Sequence, residues 1–391
     1  MLATRTMTYS VSGLPTPVPA VQLLYRSTNA RGEAVANVTS ILKPLTGVDP
    51  SRAVAYNSFY DSLNPEDSPS RSIAGNVSLG GVINTAEALF VKPLLLAGYT
   101  VVVADTQGPT ANFAAGLGPE YGRMTLDSIR AATRSSATGL TSSTRFGMLG
   151  YSGGAIATNW AAALAPSYAP EVNARLVGAA SGGLLVKPST NLKYVSGSLV
   201  WAGIAPLALT GLARAYDFDI KKYTNSYGAS LVDKMQDASI VNVLGQYPGL
   251  TYQQILKPAY ANPNSIPEYV EFANQVNLGQ QATPTIPLYV AQGVGGFTEG
   301  TLPKAGIGGG DGVMVAGDVR SLLRQCCATG NSKVSYTQYD LLSHTVATAT
   351  WAPVGIAWLN ERFAGRTAPS SCGWIAAGNS LAPEVLVPPA S

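Results

Sequence analysis

Between Ala53 and Ala180 short, almost wholly apolar runs alternate with stretches of helical period, and few folds accommodate that alternation. Ala53–Tyr56, Thr100–Asp105, Arg145–Gly150 and Arg175–Ala180 read as buried strands, with helices over Thr85–Ala97, Thr125–Ser136 and Gly154–Ala165 between them. Strands apolar on both faces and joined through helices form a mostly parallel sheet covered on both sides, the α/β class. Upstream, Val21–Tyr25 and Ala34–Lys43 flank the turn Asn29–Gly32 as an antiparallel hairpin. From Leu184 to Ala282 the alternation stops, and Val200–Tyr216, Gly228–Leu244 and Ile266–Asn277 give helical patterns broken by Gly and Pro. The rhythm resumes with Ile286–Gln292, a Gly-rich loop to Asp311, a helix over Val313–Ala328, a strand over Val334–Tyr339 and a closing helix near Pro353–Phe363. The expected organisation is a core of residues 1–183 and 283–391 interrupted by a helical cap of residues 184–282.

Composition excludes several classes. Of the 391 residues 46% are hydrophobic and only 12% charged, far from the composition of a disordered chain. The net charge is +3 with no Lys/Arg run, which gives no footprint for nucleic acid. No apolar stretch reaches the roughly 18 residues that a spanning helix needs, so stable membrane insertion is not expected. Met1–Arg5 carries no basic segment followed by an apolar run, so a signal peptide is absent from this sequence. Sparse charge, 41 Gly and 26 Pro nonetheless resemble exported enzymes, and Asn37-Val38-Thr39 and Asn76-Val77-Ser78 are formal glycosylation acceptors. The expectation is an extracellular protein of open oligomeric state.

Cys326, Cys327 and Cys372 fit no zinc spacing, and one histidine is too few to complete a site, so neither metal nor cofactor is expected. In an oxidising compartment one of the adjacent pair would bridge to Cys372 and the other stay free; otherwise all three are packed thiols.

Gly150-Tyr151-Ser152-Gly153-Gly154 is a G-x-S-x-G placed between a strand and a helix. In α/β-hydrolases that context makes it the nucleophile elbow, a strained turn that holds a serine above the sheet. A serine hydroxyl becomes a useful nucleophile when a base takes its proton, and His344 is the only histidine in the chain. It lies in a loop, Leu341–Thr345, after the strand Val334–Tyr339, in the chain order of serine before histidine. The acid that orients the imidazole should follow the preceding strand. Asp311 fits best, just ahead of a helix whose N-cap it would also suit; Glu299, in the long loop before it, competes, and Asp318 lies within the helix. One oxyanion donor should be the N–H of Gly153, and the other should come from the loop Asn57–Leu63.

Several blocks in order carry a resemblance: Leu23–Gly32, Tyr60-Asp61-Ser62, Gly98–Asp105, Leu126–Ala131, Gly150–Gly154 and Ser343-His344. The chain resembles the secretory lipase family, α/β-hydrolases with a helical cap. The resemblance implies a serine ester hydrolase working through an acyl-enzyme on an ester or lipid substrate, including substrate at a lipid–water interface. It also implies Asp61 as the second oxyanion donor, through its backbone N–H or as a protonated acid, and Asp311 as the triad acid. A bridge from Cys326 or Cys327 to Cys372 matches one family disulfide; the second would need a cysteine near Glu66, where this chain has none. An acyltransferase with the same triad and a non-catalytic lipid-binding protein on the same fold are the alternatives.

Overall fold

The computed structural model describes residues 1–113 and 118–390. In chain order the elements are β1 (Ala3–Val11), β2 (Leu14–Thr28), β3 (Ala34–Leu42), β4 (Arg52–Asn57), α1 (Pro69–Ile73), α2 (Val82–Leu96), β5 (Thr100–Ala104), α3 (Pro119–Arg134), β6 (Arg145–Tyr151), α4 (Gly153–Tyr168), α5 (Pro170–Asn173) and β7 (Leu176–Gly182). Between β7 and β8 (Leu288–Gly293) the chain runs through α6 (Pro188–Val195), α7 (Ile204–Tyr216), α8 (Ser226–Met235), α9 (Tyr252–Ile255) and α10 (Pro267–Gln275) with no strand. It closes with α11 (Ala316–Ala328), β9 (Val334–Tyr339) and α12 (His344–Phe363).

The nine strands of the described residues form one sheet in the order β1-β2-β3-β5-β4-β6-β7-β8-β9. The β1–β2, β2–β3 and β3–β5 pairs are antiparallel, and every pair from β5 through β4, β6, β7 and β8 to β9 is parallel. The parallel half explains the apolar runs. Thr100–Ala104 and Leu288–Gly293 are buried at every residue, because helices cover both faces. One buried cluster joins α3 and α4 to one side of the sheet, and a second joins α2 and α12 to the other.

The sequence reading omits β1 and the start of β2. Pro15, Pro17 and Pro19 fall in the part of β2 that has β1 on one side and, because β3 pairs only from Ala20 onward, no strand on the other. Proline is tolerated there because no ladder bond is lost. Helix starts also move, among them that of α3, at Pro119 instead of the expected Thr125, and those of the two helices beside Asp311 and His344. The helix expected from Val313 begins at Ala316, because the Asp311 carboxylate accepts from the N–H groups of Val313 (3.1 Å) and Met314 (2.7 Å) and holds them in a turn. Asp311 therefore caps that turn, not the helix. The closing helix begins at His344, nine residues before Pro353, so the histidine stands on the first turn of a helix and not in a loop.

Cys327 and Cys372 form a disulfide, and Cys326 is free and buried, its thiol pushed up to about 11 by desolvation. The two glycosylation triplets part company. Asn37 is buried in β3, its amide donating to the Asp105 carbonyl (2.8 Å) and the Tyr25 hydroxyl (3.0 Å), whereas Asn76 is exposed. Expressed in a glycosylating host, the chain should carry a glycan at Asn76 and none at Asn37. Intact-mass analysis of Asn76→Gln should show no residual glycan, and a glycan retained in that variant would contradict the placement.

Candidate active site

The carboxyl ends of the parallel strands β4 to β9 converge on Ser152. It follows β6 directly and precedes α4, with φ 51° and ψ −121°, a backbone conformation that a serine adopts only under strain. The flanking glycines make that turn possible by contact as well as by freedom. A Cβ on Gly150 would overlap the carbonyl oxygen of Gly154, and one on Gly154 would overlap the carbonyl oxygen of Asn57. The strand, the helix start and β4 are therefore pressed together with no room for a side chain.

His344 Nε2 lies 2.8 Å from Ser152 Oγ, and its Nδ1 lies 2.7 Å from Asp311 Oδ2. Asp311 is fully buried and receives four donors: Nδ1 of His344, Nε2 of Gln292 at 2.9 Å, and the backbone N–H groups of Val313 and Met314. A carboxylate has the acceptor capacity for all four. The His344 N–H also donates to the Asp311 carbonyl (2.7 Å), and Tyr151 Oη donates to the His344 carbonyl (2.8 Å), so the first turn of α12 is fixed on both sides.

Glu299, the competing acid, is directed elsewhere. Its Oε2 accepts from Trp201 Nε1 (2.6 Å) and its Oε1 from the Thr345 N–H (3.1 Å), with no hydrogen bond to His344. That carboxylate ties the segment before α7 to the start of α12 and sets the Trp201 ring edge-on to the imidazole, centroids 5.2 Å apart. Asp318 bonds Asn379 instead and lies outside the site.

Asp61 sits in the loop after β4 at φ 39°, buried, with its carboxyl against Gly153 so closely that a Cβ there would collide with Oδ1. Its Oδ1 accepts from Gln107 Nε2 (3.0 Å). Desolvation, reinforced by the Glu87 carboxyl, holds its pKa well above the usual carboxylate range despite the opposing Gln107 bond. The loop that carries it is gripped by Glu87 of α2, which accepts from Tyr56 Oη (2.9 Å), the Phe59 N–H (2.9 Å) and Ser58 Oγ (2.6 Å); burial pushes this carboxyl to about 7. Gly153 opens α4, where an N–H has no intrahelical partner and is free for a ligand. Gly153→Ala should displace the Asp61 carboxyl, a shift that a crystal structure of the folded variant would show.

Asp61, Ser152, Gly153 and His344 line one cavity of about 240 Å³ whose other walls are almost entirely apolar. Phe59, Ile83 and Ile156 come from the core, while Leu192, Ile204 and Leu244 come from the segment between β7 and β8. Sequence reasoning overlooked Gln107, Glu87, Trp201 and Tyr151. Gln107 stands three residues past the end of β5, and a polar residue just beyond a parallel strand is a signal that could have marked it. Glu87 was hidden inside a helical pattern.

A mostly parallel sheet with a serine in a strained strand-to-helix turn at its carboxyl edge defines the α/β-hydrolase class. Candida antarctica lipase A in its closed state superposes with a TM-score of 0.81 at 24% identity, covering 97% of this chain and 85% of that one. A family model described as Secretory lipase matches residues 75–371. Lipase 6 of Candida albicans is 30% identical over 399 residues, covering 98% of this chain and 82% of that protein. A Mycobacterium tuberculosis protein called a "Probable inactive lipase" is 28% identical over 372 residues, covering 94% of this chain and 78% of its own. The chain belongs to the secretory lipase family, a family of lipases and esterases.

Proposed function

We propose that the protein is a secreted serine carboxylic-ester hydrolase, with Ser152 as nucleophile, His344 as general base and acid, and Asp311 orienting the imidazole. The observation that carries this reading is the unbroken chain from Ser152 Oγ to His344 Nε2 (2.8 Å) and from Nδ1 to Asp311 (2.7 Å), opening on an apolar cavity. Ser152 Oγ attacks the ester carbonyl as His344 Nε2 takes its proton, and the imidazolium is stabilised by the buried carboxylate. The N–H of Gly153 and Asp61 stabilise the tetrahedral oxyanion. His344 then protonates the leaving alcohol, and water, activated in the same way, releases the acid from the acyl-enzyme. No cofactor takes part.

Residues 1–183 and 283–391 act as the catalytic core and residues 184–282 as a cap that encloses the acyl chain, in keeping with the apolar side chains that both contribute to the cavity. Export is supported by the Cys327–Cys372 bridge, since disulfides persist in oxidising compartments, and by the family's description.

A fluorophosphonate should label Ser152 stoichiometrically, with labelling lost in Ser152→Ala and His344→Ala. Failure to label the intact protein would favour a non-catalytic lipid-binding protein on this fold; the Mycobacterium tuberculosis relative is itself named a "Probable inactive lipase". Ester formation from the acyl-enzyme with a competing alcohol in water would instead favour an acyltransferase.

A further inference from the structure

The loop that carries Asp61 is held from outside by an amide that no part of the triad requires. Gln107 is fully buried between the Tyr60 side chain, whose hydroxyl accepts from the Gln107 N–H (3.0 Å), and the Asp61-Ser62 backbone. Its side chain makes two bonds of opposite sense: Oε1 accepts from the Ser62 N–H (3.0 Å) and Nε2 donates to Asp61 Oδ1 (3.0 Å). A backbone N–H can only donate, so the amide orientation is fixed by Ser62, and Asp61 Oδ1 must then act as an acceptor. Asp61 Oδ2 has no hydrogen-bond partner among the described residues, and Asp61 lines the same cavity as Ser152 and Gly153.

Resting on the proposed ester hydrolysis, we infer that Gln107 is a positioning residue: by occupying Oδ1 of Asp61 it keeps the carboxyl proton on Oδ2, the oxygen free to donate to the substrate oxyanion. A carboxylic acid carries one proton and two oxygens, and only one placement of that proton gives a donor toward the reacting carbonyl. With Oδ1 unoccupied, the acid could rotate or present its bare oxygen, and the oxyanion would face a lone pair instead of a proton. Burial and the Glu87 carboxyl favour the neutral acid; Gln107 decides where its proton sits. No bond is made or broken by Gln107, and no proton leaves Asp61 in the cycle.

Two variants test this on a short soluble ester, with active sites counted by fluorophosphonate titration. Gln107→Met, similar in length and without a donor, should lower kcat by roughly 10- to 100-fold while KM stays within twofold, since a transition-state contact is lost and not a binding one. Gln107→Glu keeps the acceptor for Ser62. While neutral it can still donate to Oδ1, but once ionised it draws the Asp61 proton onto Oδ1. The ratio of its kcat to that of the wild type should therefore fall as pH rises. Glu87 and Asp105, whose carboxyls burial raises, and Tyr60 face this loop in both proteins, so taking the ratio isolates what the new carboxyl adds.

Retention of kcat within threefold in Gln107→Met, a change confined to KM, or a ratio for Gln107→Glu that is flat with pH would each overturn the inference. Should Gln107→Met not fold, the pH ratio of Gln107→Glu decides alone. Wild-type protein that neither labels nor turns over ester would sink the hydrolase reading; a working wild type with indifferent Gln107 variants would sink the positioning role only.

Discussion

Ser152→Ala and His344→Ala should each lower kcat for ester hydrolysis by about 10⁴–10⁶-fold, and the double variant should be scarcely worse than either alone. The non-additivity is the telling part. Without the imidazole the hydroxyl 2.8 Å away has no acceptor for its proton, and without the hydroxyl the imidazole has nothing to activate. Asp311→Asn should cost about 10⁴-fold, the typical loss when the base is held in the wrong tautomer. Here the loss is compounded, because the new NH₂ group would meet the Gln292 amide that now donates to Oδ2 at 2.9 Å. Glu299→Gln, at a carboxylate that bonds Trp201 and Thr345 and not His344, should leave kcat within tenfold. Kinetics of the five variants, with folding checked by circular dichroism, measure this. A severe loss in Glu299→Gln with a mild one in Asp311→Asn would reverse the assignment of the acid.

The second large effect belongs to Asp61. Asp61→Ala should lower kcat by about 10²–10³-fold, the range for a lost oxyanion donor, whereas Asp61→Asn should keep most of the rate. Asparagine tolerates the positive φ of 39°, its Oδ1 can accept from Gln107, and its NH₂ replaces the acid proton toward the oxyanion. The pH dependence separates the two donors further. The Asp61 pKa is raised, so the acid is neutral and donating below that pKa, and above it an anion repels the developing oxyanion. Wild-type kcat should thus decline on the alkaline side through the raised pKa, and Asp61→Asn should abolish that decline. Equal activity of the Ala and Asn variants would mean that the backbone N–H is the only donor Asp61 supplies.

Legibility in the sequence followed how local each signal is. The strands β4 to β8 were readable because each is almost wholly buried between helices on both faces, which leaves an apolar run, whereas β9, at the sheet edge, is only half-buried. Ser152 was readable because its strained turn needs glycine within two residues on each side. The lone histidine was readable by elimination, and Asp311 by its place after β8, although its side chain proved to hold a turn and the helix began later. The missed strand β1 and proline-bearing start of β2 depend on which neighbour lies alongside, a fact that no local pattern carries.

The sequence alone determined the α/β class, the elbow serine, the histidine and the presence of an inserted helical segment, since backbone strain, period and apolar runs are written in neighbouring residues. Only the tertiary structure set Asp311 and not Glu299 against the imidazole, chose Cys327 over Cys326, buried Asn37, and brought Gln107 and Glu87 to the Asp61 loop. Those outcomes turn on distances of about 3 Å between residues far apart in the chain, where hydrogen-bond energies fall steeply with geometry and adjacent residues point to different partners.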